Sequence, residues 1–273
     1  MPRKTRLDAL LVKRGLAESR SQAQRLIMAG QVRVAGQMAL KPGQRVAADA
    51  PIEVARAPRF VSRGGEKLVA ALEAFSIAVT GRVCADVGAS TGGFTDCLLQ
   101  YGAARVYALD VGKGQLHWKL RRDPRVVVME GTNARYVARL PEPVSLVTID
   151  VSFISLRVIL PVVHGWFPEP LRPSGRGDVV ALIKPQFEAG RRQAARGRGV
   201  IRDPAVHRRV LQDILGFAQT HGYGVRGLIR SPIRGPKGNV EFLVWLTVDG
   251  PPMAEDTLAT WIQTCTRPTE GEP

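Results

Sequence analysis

The chain has 273 residues, enough for two unequal domains, and 45% of them are apolar, enough for buried cores. Lys and Arg number 39 against 24 Asp and Glu, a net charge of +15 that points to a polyanionic partner, above all nucleic acid, whose condensed counterions are released on binding. The most apolar stretch, Leu146 to Phe167, contains Asp150, Arg157 and Pro161, so it reads as a strand followed by a helix rather than a membrane span, and the basic start MPRKTRLDALL lacks the apolar region of a signal peptide.

Residues 1–57 read as a unit of their own. The first 60 residues hold 12 Lys/Arg against 4 Asp/Glu, over half of the net charge. Thr5 with Asp8 resembles a capping box, and Leu7, Leu10 and Leu11 form a helical face that stops at Gly15. Ser19 and Gln22 form a second capping box, with Ala23, Leu26 and Ile27 facing inward and Gly30 ending the helix. Val32-Arg33-Val34 and Ile52-Glu53-Val54 alternate like half-buried strands, and Lys41-Pro42-Gly43 is a turn. Arg6, Arg20, Arg25, Arg33 and Lys41 are the candidate nucleic-acid contacts of this unit.

Residues 58–61 read as a linker, because Pro58 disfavours helix at the residue before it. Ser62-Arg63-Gly64-Gly65 opens a helix carrying Lys67, Leu68, Ala71, Leu72 and Phe75, with Arg63 a further nucleic-acid candidate. From there to residue 250 strands alternate with helices, the mark of a mostly parallel sheet and an α/β Rossmann-like domain. Strands are expected at Val83–Val87, Val106–Asp110, Val126–Glu130, Leu146–Asp150, Val179–Lys184, Tyr223–Arg230 and Val240–Val248. Helices are expected at about 94–101, 115–122, 155–165 and 204–221. The last two strands have no helical pattern between them and are expected to pair antiparallel. Residues 251–273 hold one helix, Met253–Thr266, and a polar tail. Cys84, Cys97 and Cys265 have neither CxxC spacing nor a neighbouring His, so they read as small apolar residues in a reducing compartment, and no metal ligand set is expected.

The chemistry concentrates at strand ends, where open α/β sheets bind ligands. Asp86-Val-Gly88-Ala-Ser90-Thr91-Gly92-Gly93-Phe94 follows the first strand of the sheet and opens a helix. Its glycines permit a sharp turn and a close ligand approach. Asp86 disfavours a pyrophosphate and suits a cofactor carrying an ammonium and a sulfonium. Asp110 ends the next strand, where a carboxylate can accept both ribose hydroxyls. Asn133 is placed either to meet an adenine edge or to shape a turn. Asp150 is expected in the same crevice. The Asn/Asp-Pro-Pro-aromatic sequence of exocyclic amine methylation is absent after it, and no Cys follows a Pro as cytosine-5 chemistry needs, so the acceptor is expected to be oxygen. Lys184, after an apolar strand, is expected to be partly buried, which lowers a lysine pKa. Glu241 opens the last strand. Lys184 and Glu241 each also read as members of structural ion pairs.

The pattern SRSQAQRLIMAGQVRVAGQ…KPGQRV is similar to the S-four RNA-binding domain. Lys67, Asp150, Lys184 and Glu241 resemble the Lys-Asp-Lys-Glu tetrad of FtsJ-like ribose 2′-O-methyltransferases. The stretches VSRGGEKLVAALEAF, ADVGASTGGFTDCLL, ALDVGKGQL, DPRVVV, DVSFISL, LIKPQFEAG and GNVEFLVWL make the whole chain resemble the TlyA family, also labelled haemolysin A. The resemblance implies S-adenosylmethionine-dependent 2′-O-methylation of cytidine in 23S and often 16S ribosomal RNA. It implies ribosomal subunits as partners and a cytoplasmic location, with a monomer as the default. Ser90-Thr91 stands where Ala-Pro is usual in FtsJ proteins, and Asn133 where Asp is common. A ribose hydroxyl must lose its proton to react, and two roles for Lys184 stay open. It acts as the base, kept neutral by Lys67, or it stays charged and steadies the alkoxide. Arg191, Arg192, Arg196 and Arg198, in a glycine-rich stretch after Lys184, read as a loop that clamps RNA phosphates. The alternatives are a non-catalytic RNA-binding assembly factor and a membrane-active haemolysin.

Overall fold

Ser19 starts its helix as the spacing to Gln22 requires: its Oγ accepts from the Gln22 backbone N–H at 3.2 Å, and Gln22 Oε1 accepts from the Glu18 N–H at 2.6 Å. The computed structural model describes residues 4–55, 58–168, 177–190, 193 and 197–268. Contacts divide the chain into two units, Met1–Arg59 and Phe60–Pro273.

In the first unit β1 (Lys4–Arg6) pairs antiparallel with β4 (Arg45–Ala47), and β2 (Val32–Val34) lies between β3 (Gln37–Met38) and β5 (Ile52–Val54). Ala35 and Gly36 both take positive φ, 49° and 78°, giving the two-residue turn whose twist matches the hairpin β2–β3. Helices α1 (Leu7–Lys13) and α2 (Arg20–Met28) close over Leu7, Leu11, Ala23, Ile27 and Val32, all fully buried. The expected Thr5 cap does not form. Thr5 lies in β1, Arg6 is the N-cap residue, and the Asp8 carboxylate turns back on the Ala9 N–H at 2.8 Å.

The second unit begins at Phe60, which is 3% exposed and packs in its core, so the expected 58–61 linker contains a core residue. Helix α3 is Gly64–Ala74. A seven-stranded sheet then follows, with strands β6 (Val83–Val87), β7 (Arg105–Asp110), β8 (Val126–Glu130), β9 (Leu146–Ile149), β10 (Asp178–Ile183), β11 (Tyr223–Arg230) and β12 (Phe242–Val248). Their spatial order is β11-β12-β10-β9-β6-β7-β8. All neighbours are parallel except that β12 runs antiparallel to both β10 and β11, the pairing expected for the last two strands. Helices α4 (Gly93–Gln100), α5 (Trp118–Arg121), α6 (Leu156–His164), α7 (Pro185–Glu188), α8 (Pro204–Thr220) and α9 (Glu255–Cys265) surround it.

Both faces of the sheet are covered, which is why its strands read as continuous apolar runs rather than alternating ones. In β10, Val179, Ala181 and Ile183 join the core beneath α6 and α8, while Val180 and Leu182 join the core beneath α3 and α4. Several expected elements are shorter than the pattern suggested, among them the C-terminal helix, which spans Glu255–Cys265 rather than Met253–Thr266. The helix expected at 115–122 is only Trp118–Arg121, because Glu130 accepts the backbone N–H groups of Gly114, Gln115 and Leu116 and holds that approach as a loop. The strand expected from Val240 starts at Phe242, because Asn239 is drawn aside: its side chain donates to Gly199 O at 2.9 Å and accepts from Ile201 N at 3.0 Å.

Candidate active site

Strands β6 and β9 are neighbours, but the chain reaches β9 only after building β7 and β8 on the other side of β6. At such a reversal the loops leaving the two strand ends diverge and open a crevice. The β6 loop passes so close to the end of β9 that a Cβ on Gly88 would lie 2.6 Å from the Asp150 carbonyl oxygen. Gly88 and Gly92 have φ of 87° and 99°, a region costly for other residues, and Ser90 shares it at 50°. A Cβ on Gly93 would lie 2.2 Å from Ser62 Oγ, so the loop is also pressed against the start of α3.

Two cavities meet in the crevice. The first, about 510 Å³, has apolar walls that include Val87, Leu109, Val111 and Ile159 and a polar rim of Ser90, Asp110 and Asn133. Asp110 accepts the Ser90 N–H on Oδ2 at 2.8 Å and the Gly112 N–H on Oδ1 at 2.7 Å, which fixes its carboxylate while each oxygen keeps a lone pair. Asn133 borders the cavity, and it takes the turn-shaping role its position allowed: its Oδ1 caps the short turn 134–136 by accepting from Arg135 N at 3.2 Å.

The second cavity, about 350 Å³, shares Gly88, Ser90, Asp150 and Ser152 with the first and adds Arg63, Lys67, Thr91, Gly93, Phe94 and Lys184. Lys67, Asp150, Lys184 and Glu241 come from four separate segments and meet as two ion pairs. Lys67 Nζ lies 2.6 Å from Glu241 Oε2, and Lys184 Nζ lies 2.6 Å from Asp150 Oδ1. Both lysines are 8% exposed and Glu241 is 1% exposed. Each lysine therefore has its own carboxylate, rather than the two lysines acting on each other alone. Asp150, Lys184 and Glu241 all sit one residue outside the regular strand, where the side chain escapes the sheet pairing.

Asp86 is placed differently from the expectation. Its carboxylate is fully buried, borders neither cavity, and accepts from Thr95 Oγ1 at 2.7 Å and Thr148 Oγ1 at 3.2 Å. It braces β6 against α4 and β9 from beneath the glycine loop. Burial pushes its carboxyl up to about 7, with the Asp150 charge adding to the effect and the threonine hydroxyls opposing it. The native state therefore holds a proton that the unfolded chain has lost between pH 4 and 7, so this group's contribution to stability falls as pH rises through that window. Thermal melts of the protein and of Asp86→Asn from pH 5 to 8 should show wild type losing stability relative to the variant as pH rises. Parallel curves would remove this assignment. Gly92 also lies outside both cavities, its missing Cβ leaving room for Leu120.

Three residues of the site were not singled out from the sequence. Ser152 borders both cavities and accepts from Lys184 Nζ at 3.0 Å. Gln186 donates to Glu241 Oε1 at 3.1 Å. Glu130 is held at about 2 by Arg121 and three backbone N–H groups and fixes the loop beside the first cavity. Ser152 and Gln186 each lie two residues beyond a tetrad member in sequence. Glu130 had no signal of its own beyond ending a strand.

Of the RNA candidates, Arg6 and Arg20 both contact the buried Asp8, while Arg25, Arg33, Lys41, Arg63 and Arg198 are exposed. Arg33 also donates to Gly36 O at 3.0 Å, and Arg63 borders the second cavity. Arg191, Arg192 and Arg196 lie outside the described residues. Cys84 and Cys97 are buried free thiols, as their context suggested, and Cys265 is half-buried. Among the described residues no cluster of three potential metal ligands occurs, and no helix is long and apolar enough to cross a membrane.

Residues 60–248 match the model of the FtsJ-like methyltransferase family, and residues 5–52 match that of the S4 domain. The chain is 51% identical over 251 residues to the "Putative rRNA methyltransferase YqxC" of Bacillus subtilis, covering 89% of this chain and 86% of that one. It is 50% identical over 252 residues to the "16S/23S rRNA (cytidine-2'-O)-methyltransferase TlyA" of Mycobacterium tuberculosis, covering 90% of this chain and 91% of that one. A solved structure titled "Putative hemolysin from Streptococcus thermophilus" superposes with a TM-score of 0.71 at 43% identity, covering 97% of this chain and 96% of that one. The chain belongs to the TlyA family of FtsJ-like methyltransferases, with an S4 domain ahead of the methyltransferase domain.

Proposed function

We propose that this enzyme methylates the 2′-hydroxyl of a cytidine ribose in 16S and 23S ribosomal RNA, acting on ribosomal subunits in the cytoplasm as a monomer. The observation that carries the reading is the meeting of the two lysine–carboxylate pairs on a cavity that shares Gly88, Ser90, Asp150 and Ser152 with its apolar neighbour. The residues of the larger cavity fit S-adenosylmethionine: Asp110 offers lone pairs to a ribose diol, apolar side chains flank the space for an adenine, and Gly88 permits close backbone approach. That cofactor supplies an electrophilic methyl group on a sulfonium.

The remaining work falls to the chain. Lys184 Nζ is ion-paired with Asp150 and donates to Ser152 Oγ, which leaves donor capacity for the acceptor oxygen. It holds that oxygen and steadies the negative charge that builds as the hydroxyl proton passes to water in the open cavity, while the methyl–sulfur bond breaks and its electron pair returns to the sulfur. Asp150 borders both cavities and anchors Lys184 between them. Glu241, itself held by Gln186, fixes Lys67 in the wall of the acceptor cavity. Holding oxygen and methyl in line removes much of the entropic barrier. Arg63 on the rim, and Arg198 with Arg191, Arg192 and Arg196, supply charge for RNA phosphates, in keeping with the net charge of +15.

The test is transfer of labelled methyl from S-adenosylmethionine to separated unmodified ribosomal subunits. Label in an alkali-resistant dinucleotide containing cytidine is expected, because a 2′-O-methyl group blocks alkaline cleavage of the adjoining phosphodiester. Label on a base, or none on either subunit, would overturn the reading.

A further inference from the structure

The N-terminal unit is strongly basic, yet its most buried charged side chain is acidic. Asp8 is 0% exposed and accepts five hydrogen bonds. Arg6 grips it with Nε at 3.1 Å from Oδ1 and NH2 at 2.9 Å from Oδ2, the two-pronged geometry of an arginine–carboxylate fork. Arg20 NH2 reaches the same Oδ2 at 3.2 Å from another helix, and Gln24 Nε2 reaches it at 3.1 Å. The side chains of Arg6 and Arg20 remain 49% and 58% exposed. The Lys41 turn is fastened to the same place: Leu7 N donates to Gln44 O at 2.8 Å, Asp8 N donates to Pro42 O at 3.1 Å, and Gly43 lies against the Arg6 guanidinium.

One carboxylate oxygen thus ties two guanidiniums together while both side chains stay about half exposed, with Lys41 on the adjoining turn. We infer that Asp8 is a positioning residue that pre-assembles Arg6 and Arg20 into a seat for an RNA backbone phosphate. Free arginine side chains lose rotamer entropy on gripping a phosphate, and a buried anchor removes that cost before binding. The arrangement also divides the basic residues of this unit. Arg6, Arg20 and Lys41 belong to the seat, while Arg25 and Arg33 project from α2 and β2 without joining it.

The inference rests on the RNA-directed reading above, and its test separates the two. Affinity of the full-length protein for in vitro transcribed 23S ribosomal RNA is measured for wild type, Asp8→Asn, the double variant Arg6→Lys/Arg20→Lys, and the triple combination. Simple electrostatics makes removal of an acid tighten binding. Pre-assembly requires the opposite: Asp8→Asn should bind roughly tenfold more weakly. The double lysine variant keeps every charge but loses the fork, and it should weaken binding as much. Adding Asp8→Asn to it should cost no more. Unchanged or tighter binding by Asp8→Asn overturns the seat, as does full affinity of the lysine variant or additive losses in the triple. A loss from misfolding would be additive and would lower the melting temperature of the triple further. If wild type itself fails to bind this RNA, the functional reading falls first.

Discussion

Replacing Lys184 by Ala should lower methyl transfer by about 10² to 10⁴ while leaving cofactor affinity within a few-fold of wild type. The split follows from the geometry. Lys184 borders the cavity proposed for the acceptor, whereas Gly88, Ser90, Asp110 and Asn133 border the one proposed for the cofactor. Asp150, whose side chain is 22% exposed, has water within reach when its partner is gone, so the site should stay folded. Single-turnover transfer to ribosomal subunits and calorimetric titration with S-adenosylmethionine together read the two quantities. Activity within tenfold of wild type would mean that Lys184 does not meet the reacting oxygen.

Glu241→Ala should be the most damaging single change to stability, for a different physical reason. Glu241 is fully enclosed, its Lys67 partner is only 10% exposed at the side chain, and removing one member of a buried pair strands the other charge, which costs about 3–5 kcal/mol. For a domain of this size such a loss lowers the melting temperature by roughly 6–20 °C. Gln186 would lose its acceptor as well. The companion variant Glu241→Ala/Lys67→Met removes both charges and should recover most of the lost stability, because neither partner is left unpaired. Methyl transfer should stay lost in both variants. Melting curves read the first effect and labelled transfer the second. A single variant as stable as wild type would show that the pair contributes nothing to the fold. Recovery of activity in the double variant would remove Lys67 and Glu241 from the chemistry.

These two positions show how differently parts of the site could be read from the chain. Asp150 and Lys184 were legible because each follows an apolar strand, and strand ends of an open sheet face the ligand crevice by topology. The Ser19–Gln22 cap was legible because it involves neighbouring residues only. The Thr5 cap failed for the same kind of reason in reverse: Thr5 is claimed by the pairing of β1 with β4, some forty residues away, which local spacing cannot reveal. Asp86 reads as a cofactor contact from its motif, yet Thr95 and Thr148 draw its carboxylate into the core, and Thr148 lies on a strand far along the sequence.

By itself the sequence determined the alternation of strands and helices, the strand ends where chemistry gathers, the basic N-terminal unit and the four tetrad positions. The first three follow from local periodicity and charge, and the four tetrad positions from the resemblance to the FtsJ-like family. Only the tertiary structure decided the pairing within the tetrad, the shared wall between the two cavities, the bracing role of Asp86 and the assembly of Arg6 and Arg20 on Asp8. Each of these depends on contacts between residues distant in the chain, where burial and hydrogen-bond geometry rather than residue type select the partner.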